Sequence, residues 1–565
     1  MLQDSKQKRT YDAIVIGSGA SGGWAAKELC EAGLKTLVLD RGRMVRHIED
    51  YPTASKNPWD FEFRGSIPIE QRSGLASWSW KREETVQWAM TEDEQPVIFE
   101  KPFRWWRSYH VGGKSLLWAR ATQRWSDFDF EGPARDGFAI DWPIRAKDLN
   151  PWYTYVERFA GVAGNKDGLP ELPDSEVMPG FELSCIEQYY KDQLIKNFGD
   201  RHLIQGRCAH LTDPQEVHRQ QGRSRCMHQD MCNRGCVYGG YFSSNSSTLP
   251  WAEKTGNLTV RPQSIVHSII YDDEKGKATG VKIIDRDTGN EMDFYARIIF
   301  VNASTIASNA IMLNSKSSRF PNGLGNDSGV LGKYLATHNY RGKGYATFEG
   351  FLDKKQVGKH AGHAYVPRFR NVFQQDTDFL RGYSIGMSGG RGMSSDTSMI
   401  GDQLRDNLLN QELRNVWGMA AWMQGETVPV EDNHVRLSED QTDKYGIPKI
   451  ILSVEWKEND DKMTADFVEQ QTEMYEKAGF TNINVSDSGA LPGSDIHEMG
   501  GVRMGNDPKE SILNKWNQVH GCKNVFVSDG ACMTSTSTQN PTLTFMAITA
   551  RAANHAIEEL KRMNL

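Results

Sequence analysis

Across 565 residues the chain carries 66 basic and 73 acidic side chains, a formal net charge of −7, and 38% of its residues are hydrophobic. That balance excludes a disordered chain, a collagen-like repeat and a disulfide miniprotein, and the mild acidity argues against a nucleic-acid binder, which would present a basic face. No stretch of about 18 residues is predominantly apolar, so no direct membrane insertion is expected.

Met1 to Thr10 is polar and charged, and the first apolar run, Ala13 to Ile16, is too short for a signal-peptide core. The chain is therefore expected to carry no export signal of its own, which leaves a cytoplasmic location or periplasmic delivery alongside a partner subunit. Tyr11-Asp-Ala-Ile-Val-Ile16 reads as a buried strand and Gly17-Ser-Gly19-Ala-Ser-Gly22 as a tight turn. A helix to about Ala32 and a second strand, Lys35 to Asp40, complete one βαβ unit. The glycines let the backbone approach a pyrophosphate, the helix amino terminus faces its charge, and Asp40 is placed to accept from a ribose hydroxyl. No second such turn follows, so one dinucleotide is expected; the pattern alone does not separate NAD from FAD.

From about Gly344 to Val454 the chain reads as short strands, among them Val416–Met423 and Asn433–Leu437, forming a mostly antiparallel sheet over the nucleotide domain. Asp461 to Gly479 is expected to be helical, with Met463, Phe467, Met474 and Tyr475 on one face, and Thr542 to Met563 to be an amphipathic closing helix.

Of eight cysteines, Cys226, Cys232 and Cys236 sit together with spacing C-x5-C-x3-C. Soft sulfur ligands this close suit iron–sulfur or zinc. Zinc would need a fourth ligand, from His228 or Cys208, whereas three cysteines fit a three-iron cluster. No C-x-x-C-H occurs, so no covalent haem is expected on this chain.

Three further segments join the opening one: Val111-Gly-Gly113-Lys-Ser115-Leu-Leu-Trp118, His497-Glu-Met-Gly-Gly-Val-Arg-Met-Gly505, and Val527-Ser-Asp529-Gly-Ala through Asn540-Pro-Thr-Leu-Thr544. In this order the chain resembles the glucose–methanol–choline (GMC) oxidoreductases, FAD enzymes that oxidise alcohols. The resemblance implies an α/β fold with a Rossmann-like FAD-binding domain and a second, substrate-binding domain on the antiparallel sheet. The expected division is 1–330 for FAD binding, with the cysteine loop 226–236 inserted, 331–490 for substrate, and a return to the FAD domain over 491–565. Gly113 and Ser115 would lie against the flavin, with Ser115 donating to the ring. Asp529 would bind the ribityl chain and Val266 would contact the adenine through its backbone. Leu117 stands where some members attach flavin through a histidine, so non-covalent FAD is expected, with His110 a less favoured attachment point.

The cysteine spacing resembles the bacterial subgroup with a [3Fe–4S] cluster, the sugar dehydrogenases and the large subunit of glucoside 3-dehydrogenases, although Val237 replaces the usual proline after the third cysteine. The likeness implies a dehydrogenase served by a small subunit and a cytochrome-type one-electron acceptor. Alcohol oxidation needs a base that is neutral near pH 7, which histidine supplies, and a hydrogen-bonding group for the developing alkoxide. His497 and Asn540 match the family's catalytic pair. Asn540-Pro541 also reads as a helix cap followed by a first-turn proline, which would aim the helix's positive end at the flavin.

Trp105, Trp106, Trp118 and Trp125 near the flavin-side glycines read first as core and second as platforms for a pyranose ring. Tyr241 to Leu249 looks most like the glucoside 3-dehydrogenases, favouring oxidation of a sugar or glycoside 3-hydroxyl to a ketone. The alternatives are a gluconate, glucose or polyol dehydrogenase of the same subgroup, an oxygen-using oxidase, and a non-catalytic flavin-binding electron-transfer subunit.

Overall fold

The computed structural model describes residues 9–76, 80–355, 362–391, 399–414 and 416–565; most of the segment read for an export signal lies outside them. Thr10–Ile16 forms the first strand, followed by the helix Ala20–Glu31 and the strand Thr36–Leu39, as the βαβ pattern predicts. These strands belong to an eight-stranded sheet. Five strands are parallel in the order Cys522–Val527, Glu291–Val301, Thr10–Ile16, Thr36–Leu39 and Leu258–Arg261. At the centre of the sheet Ala13–Ile16, Thr36–Leu39 and Ile298–Val301 are buried and almost wholly apolar, as a sheet covered on both faces requires. The long strand Glu291–Val301 serves three neighbours: its last half lies between Thr10–Ile16 and Cys522–Val527, and its first half pairs with Lys277–Asp285 of the antiparallel hairpin that Ser264–Asp272 completes. The glycine helix is buried along almost its whole length and packs against the closing helix Thr542–Lys561.

The second sheet has seven strands and every pairing in it is antiparallel. It runs Thr481–Asp487, Gly342–Phe348, Trp417–Glu426, Tyr383–Gly390, Ala364–Val366 and Ile204–Gln205, with His338–Asn339 added to one end of Trp417–Glu426. Alternation along that central strand divides its side chains. Trp417, Met419, Ala421 and Met423 pack under the helices Cys185–Phe198 and Glu458–Lys477, while Trp422 and Gln424 face a cavity. Met463, Phe467, Met474 and Tyr475 form the buried face of the second helix, as their spacing predicts. Burying a side chain such as Phe467 stabilises the fold by roughly 1.5–3 kcal/mol.

The sheet differs from the expectation in two ways. It recruits Ile204–Gln205 and Thr481–Asp487 from outside the predicted stretch. His434–Thr442 leaves it, pairing instead with Pro448–Ser453, which pairs with Val97–Phe99. Val435, Ile450 and Leu452 share a small core of their own with Phe103 and Trp105, and that local burial draws the hairpin away. No helix among the described residues is long and apolar enough to cross a membrane.

Candidate active site

One continuous cavity of about 490 Å³ runs from the glycine turn, past Asp40, Gly113 and Asp529, to His497 and Asn540. Gly17 has a φ of +91°, and a Cβ there would overlap the Asn302 carbonyl. A Cβ at Gly22 would overlap the Gly17 carbonyl, so this glycine stands behind the cavity wall and lets helix and strand close up. Gly19 is different: a Cβ there would meet nothing, because its Cα opens into the cavity. The helix that starts beside it has no side-chain cap and no acidic residue in its first turn, so its leading N–H groups remain for an anion. A dinucleotide pyrophosphate fits this cradle, and Gly113, whose Cβ would meet only the Gly19 Cα at 3.7 Å, forms the opposite lip.

Asp40 is buried, which pushes its carboxyl pKa up against the hydrogen bonds that oppose the shift. It accepts from the Ser18 hydroxyl and main-chain N–H and, at 2.8 Å, from Gly42 N, so the acid meant for a ribose also braces the turn. Ser115 donates to the Gly112 carbonyl (2.6 Å) and accepts from Ser244 N (3.0 Å), so its proton points to the loop where the sequence reading had it point to the ring. Ser244 also donates to Gly19 O at 2.9 Å, and Asn245 ties down the Val45 and Val111 carbonyls. The Tyr241–Leu249 segment thus holds the two glycine loops together. Asp529 follows the strand Cys522–Val527, accepts from Ser308 (2.6 Å) and Ala531 N (3.0 Å), and is pushed up to about 6 by burial. Val266 and Leu117 also line the cavity, and so does His110, which burial pushes down to about 4.

At the far end His497 Nε2 lies 3.1 Å from Asn540 Nδ2. Asn540 does not cap the closing helix: that helix begins at Thr542, Pro541 holds the cap position without a side-chain cap, and the Asn540 amide is turned to His497. Two groups the sequence reading missed complete the cluster. His497 Nδ1 is 2.9 Å from His338 Nδ1 and 3.3 Å from Asp495 Oδ2. Burial works to raise the Asp495 carboxyl, but its hydrogen bond with His497 and the facing histidines outweigh it and hold the group below its ordinary value. Asp495 sits two residues before His497, the one local hint; His338 lies 159 positions away and gives none. Tyr340, His363 and Trp422 line the cavity near this cluster, with the His363 and Trp422 rings 5.0 Å apart. Trp105, Trp106 and Trp118 line the cavity too, whereas Trp125 is core, packed on Phe130 and Trp142.

Cys226, Cys232 and Cys236 are half-buried and stand outside any disulfide. Burial raises the Cys226 thiol, the neighbouring Cys232 and Cys236 add to the shift, and Arg120 opposes it. Among the described residues, the His, Cys, Asp and Glu atoms that gather in threes within 4.8 Å are those of His338, Asp495 and His497; the three sulfurs stand further apart. The cysteine loop is tied to the loop that carries Gly113 and Ser115: the Tyr241 hydroxyl touches both Leu116 O (2.9 Å) and Cys232 O (3.1 Å). Trp88, packed on His110, donates to Asn233 O at 2.8 Å.

Residues 144–340 match the amino-terminal family profile described as GMC oxidoreductase, and residues 429–549 match the carboxy-terminal one. The 2-methyl-1,2-propanediol dehydrogenase of Mycolicibacterium austroafricanum is 28% identical, over 96% of this chain and 94% of that protein. The fructose dehydrogenase large subunit of Gluconobacter japonicus is 24% identical, over 99% of this chain and 100% of its own. A formate oxidase variant from Aspergillus oryzae, 13% identical, superposes with a TM-score of 0.62 over 98% of this chain and 99% of that one, a likeness of fold.

Proposed function

Because the chain belongs to the GMC oxidoreductase family, whose FAD-dependent members oxidise alcohol and sugar hydroxyls, we propose that it is a dehydrogenase for a sugar or glycoside, oxidising a 3-hydroxyl to a 3-ketone. Electrons would leave singly through an iron–sulfur centre on Cys226, Cys232 and Cys236. The observation that carries the reading is the 3.1 Å approach of His497 and Asn540 on the wall of the cavity that begins at the glycine turn.

Bound FAD supplies the hydride acceptor. A hydroxyl that replaces the hydrogen bond between His497 Nε2 and Asn540 Nδ2 meets a proton acceptor and a hydrogen-bond donor together. The imidazole takes the proton, and the amide steadies the oxygen as negative charge develops on it. Trp422, His363 and Tyr340 give a carbohydrate ring flat surfaces beside that pair. The 3-position rests on the likeness of Tyr241–Leu249 to glucoside 3-dehydrogenases. The thiol cluster supports the iron–sulfur assignment through its spacing and the Tyr241 bridge to the loop at Leu116. A cytochrome-type acceptor and a small subunit complete the reading.

Anaerobic titration of the purified holoenzyme with glycosides, free sugars and polyols tests it. The flavin absorbance should bleach with the substrate class, the product carbonyl should lie at carbon 3, and iron and paramagnetic resonance should report the cluster. A flavin-replete protein that no carbohydrate bleaches would overturn the assignment, and iron-free protein prepared without oxygen would remove the cluster alone.

A further inference from the structure

The hydrogen-bond directions around His497 follow from one carbonyl. Thr538 O only accepts, so the Gln424 atom 2.7 Å from it is the amide nitrogen. That nitrogen also lies 3.4 Å from Asn540 Oδ1, which turns Asn540 Nδ2 toward His497 Nε2 at 3.1 Å. An amide nitrogen donates, so Nε2 is a lone pair and the proton of neutral His497 sits on Nδ1. It is shared between His338 Nδ1 at 2.9 Å and Asp495 Oδ2 at 3.3 Å. His338 therefore accepts at Nδ1 and keeps its own proton on Nε2. Both partners are buried and tied together: their side chains are 0% and 1% exposed, and the His338 main-chain N–H donates to Asp495 Oδ2 at 2.9 Å.

Resting on the reading of His497 as the proton acceptor, we propose that His338 and Asp495 are positioning residues, which fix the ring nitrogen that His497 turns to the substrate and stabilise the imidazolium formed there. The substrate O–H bond breaks and an N–H bond forms at Nε2, while the C–H bond of the carbon bearing that oxygen breaks as a hydride that bound flavin would accept, leaving a C=O bond. The ring becomes positive with Asp495 Oδ2 3.3 Å away. His338 does not take the proton onward, because burial, and then the facing His497 charge, push it down to about 3. The other ionisable groups acting on this trio are Lys343 and Tyr340 near Asp495, Arg368 near His338, and Glu498, itself paired with Lys114 at 3.0 Å. Burial pushes Lys343 down to about 7, against the pull of the Asp495 charge.

The test is rapid anaerobic mixing of flavin-replete holoenzyme with its best-bleaching glycoside, from about pH 5 to about pH 9, in wild type and variants. Asp495→Asn should slow flavin reduction about 100-fold with KM changed less than about 3-fold, and move the acid limb of the profile to lower pH. His338→Gln, which keeps an acceptor for the Nδ1 proton, should stay within about 5-fold of wild type, and His338→Leu, which has none, should fall with Asp495→Asn. Profiles of Asp495→Asn and His338→Leu that superimpose on wild type would overturn the inference; if His338→Leu does not retain flavin, Asp495→Asn and His338→Gln decide it. His497→Ala separates the two levels. If it bleaches at the wild-type rate, the base assignment fails; if it is inert while Asp495→Asn behaves as wild type, only the positioning role fails.

Discussion

Where the cavity meets the glycine turn its wall is main chain, with Gly19 open to the space and the helix N–H groups beside it left without a side-chain cap. Where it meets His497 the wall is side chain, and both ring nitrogens are already engaged: Nε2 with Asn540, which Gln424 and Thr538 hold in turn, and Nδ1 with His338 and Asp495. Under the proposed function, the difference follows from what each end would handle. An anion is held by unspent donors that it satisfies on arrival. A proton acceptor works only if its tautomer is decided before the substrate arrives, and that requires its partners to be spent in advance.

Substitutions at the two ends should therefore fail in different ways. The largest effect is expected for His497→Ala: flavin reduction by substrate should fall by roughly 1,000-fold or more near neutral pH, with FAD content unchanged. Stopped-flow bleaching and the flavin spectrum measure the two quantities separately. Cys226→Ser should leave bleaching within about 2-fold of wild type while turnover with a one-electron acceptor drops about 100-fold, because a hydroxyl is a poor ligand for a sulfur-loving metal; equal loss in both assays would place the cysteine loop in folding instead of electron transfer.

Gly19→Ala sharpens the contrast on the nucleotide side. Its Cβ meets no protein atom, so apoprotein stability should hold while FAD affinity weakens about 10-fold. Gly17→Ala, forced into a φ of +91° against Asn302, should lose stability in the apoprotein as well. The smallest effect belongs to Asp529. Its raised pKa, about 6, means that its contribution to stability is present below the ordinary carboxyl range and lost as pH rises through about 6. Asp529→Asn should remove that loss, raising the apoprotein Tm by about 1–2 °C at pH 7 and leaving it unchanged near pH 4.

Much of the nucleotide end was legible because its signals are local. Strand, turn, helix and strand fall within Thr10–Leu39, and the glycine spacing carries the geometry. The Glu458–Lys477 helix was legible for the same reason, since its apolar residues recur at helical intervals. The second sheet was readable as antiparallel, but its membership was not. Thr481–Asp487 lies after that helix and Ile204–Gln205 far before the sheet, and only pairing brings them in. Ser115 shows the other limit. A hydroxyl beside two glycines suggested a donor to a ring, yet its proton goes to Gly112 O because Ser244, 129 residues on, supplies its other partner.

By itself the sequence determined the α/β class and the strand–turn–helix–strand unit, and it singled out His497, Asn540 and the closely spaced cysteines, since each depends on residues close along the chain or on a motif of fixed spacing. Tertiary structure alone decided that His338 and Asp495 close around His497, that Asn540 turns from the helix it precedes, and that Trp422 and Gln424 face the cavity. Hydrogen-bond direction and side-chain packing are satisfied in space, between strands and loops more than a hundred residues apart, and no local spacing encodes them.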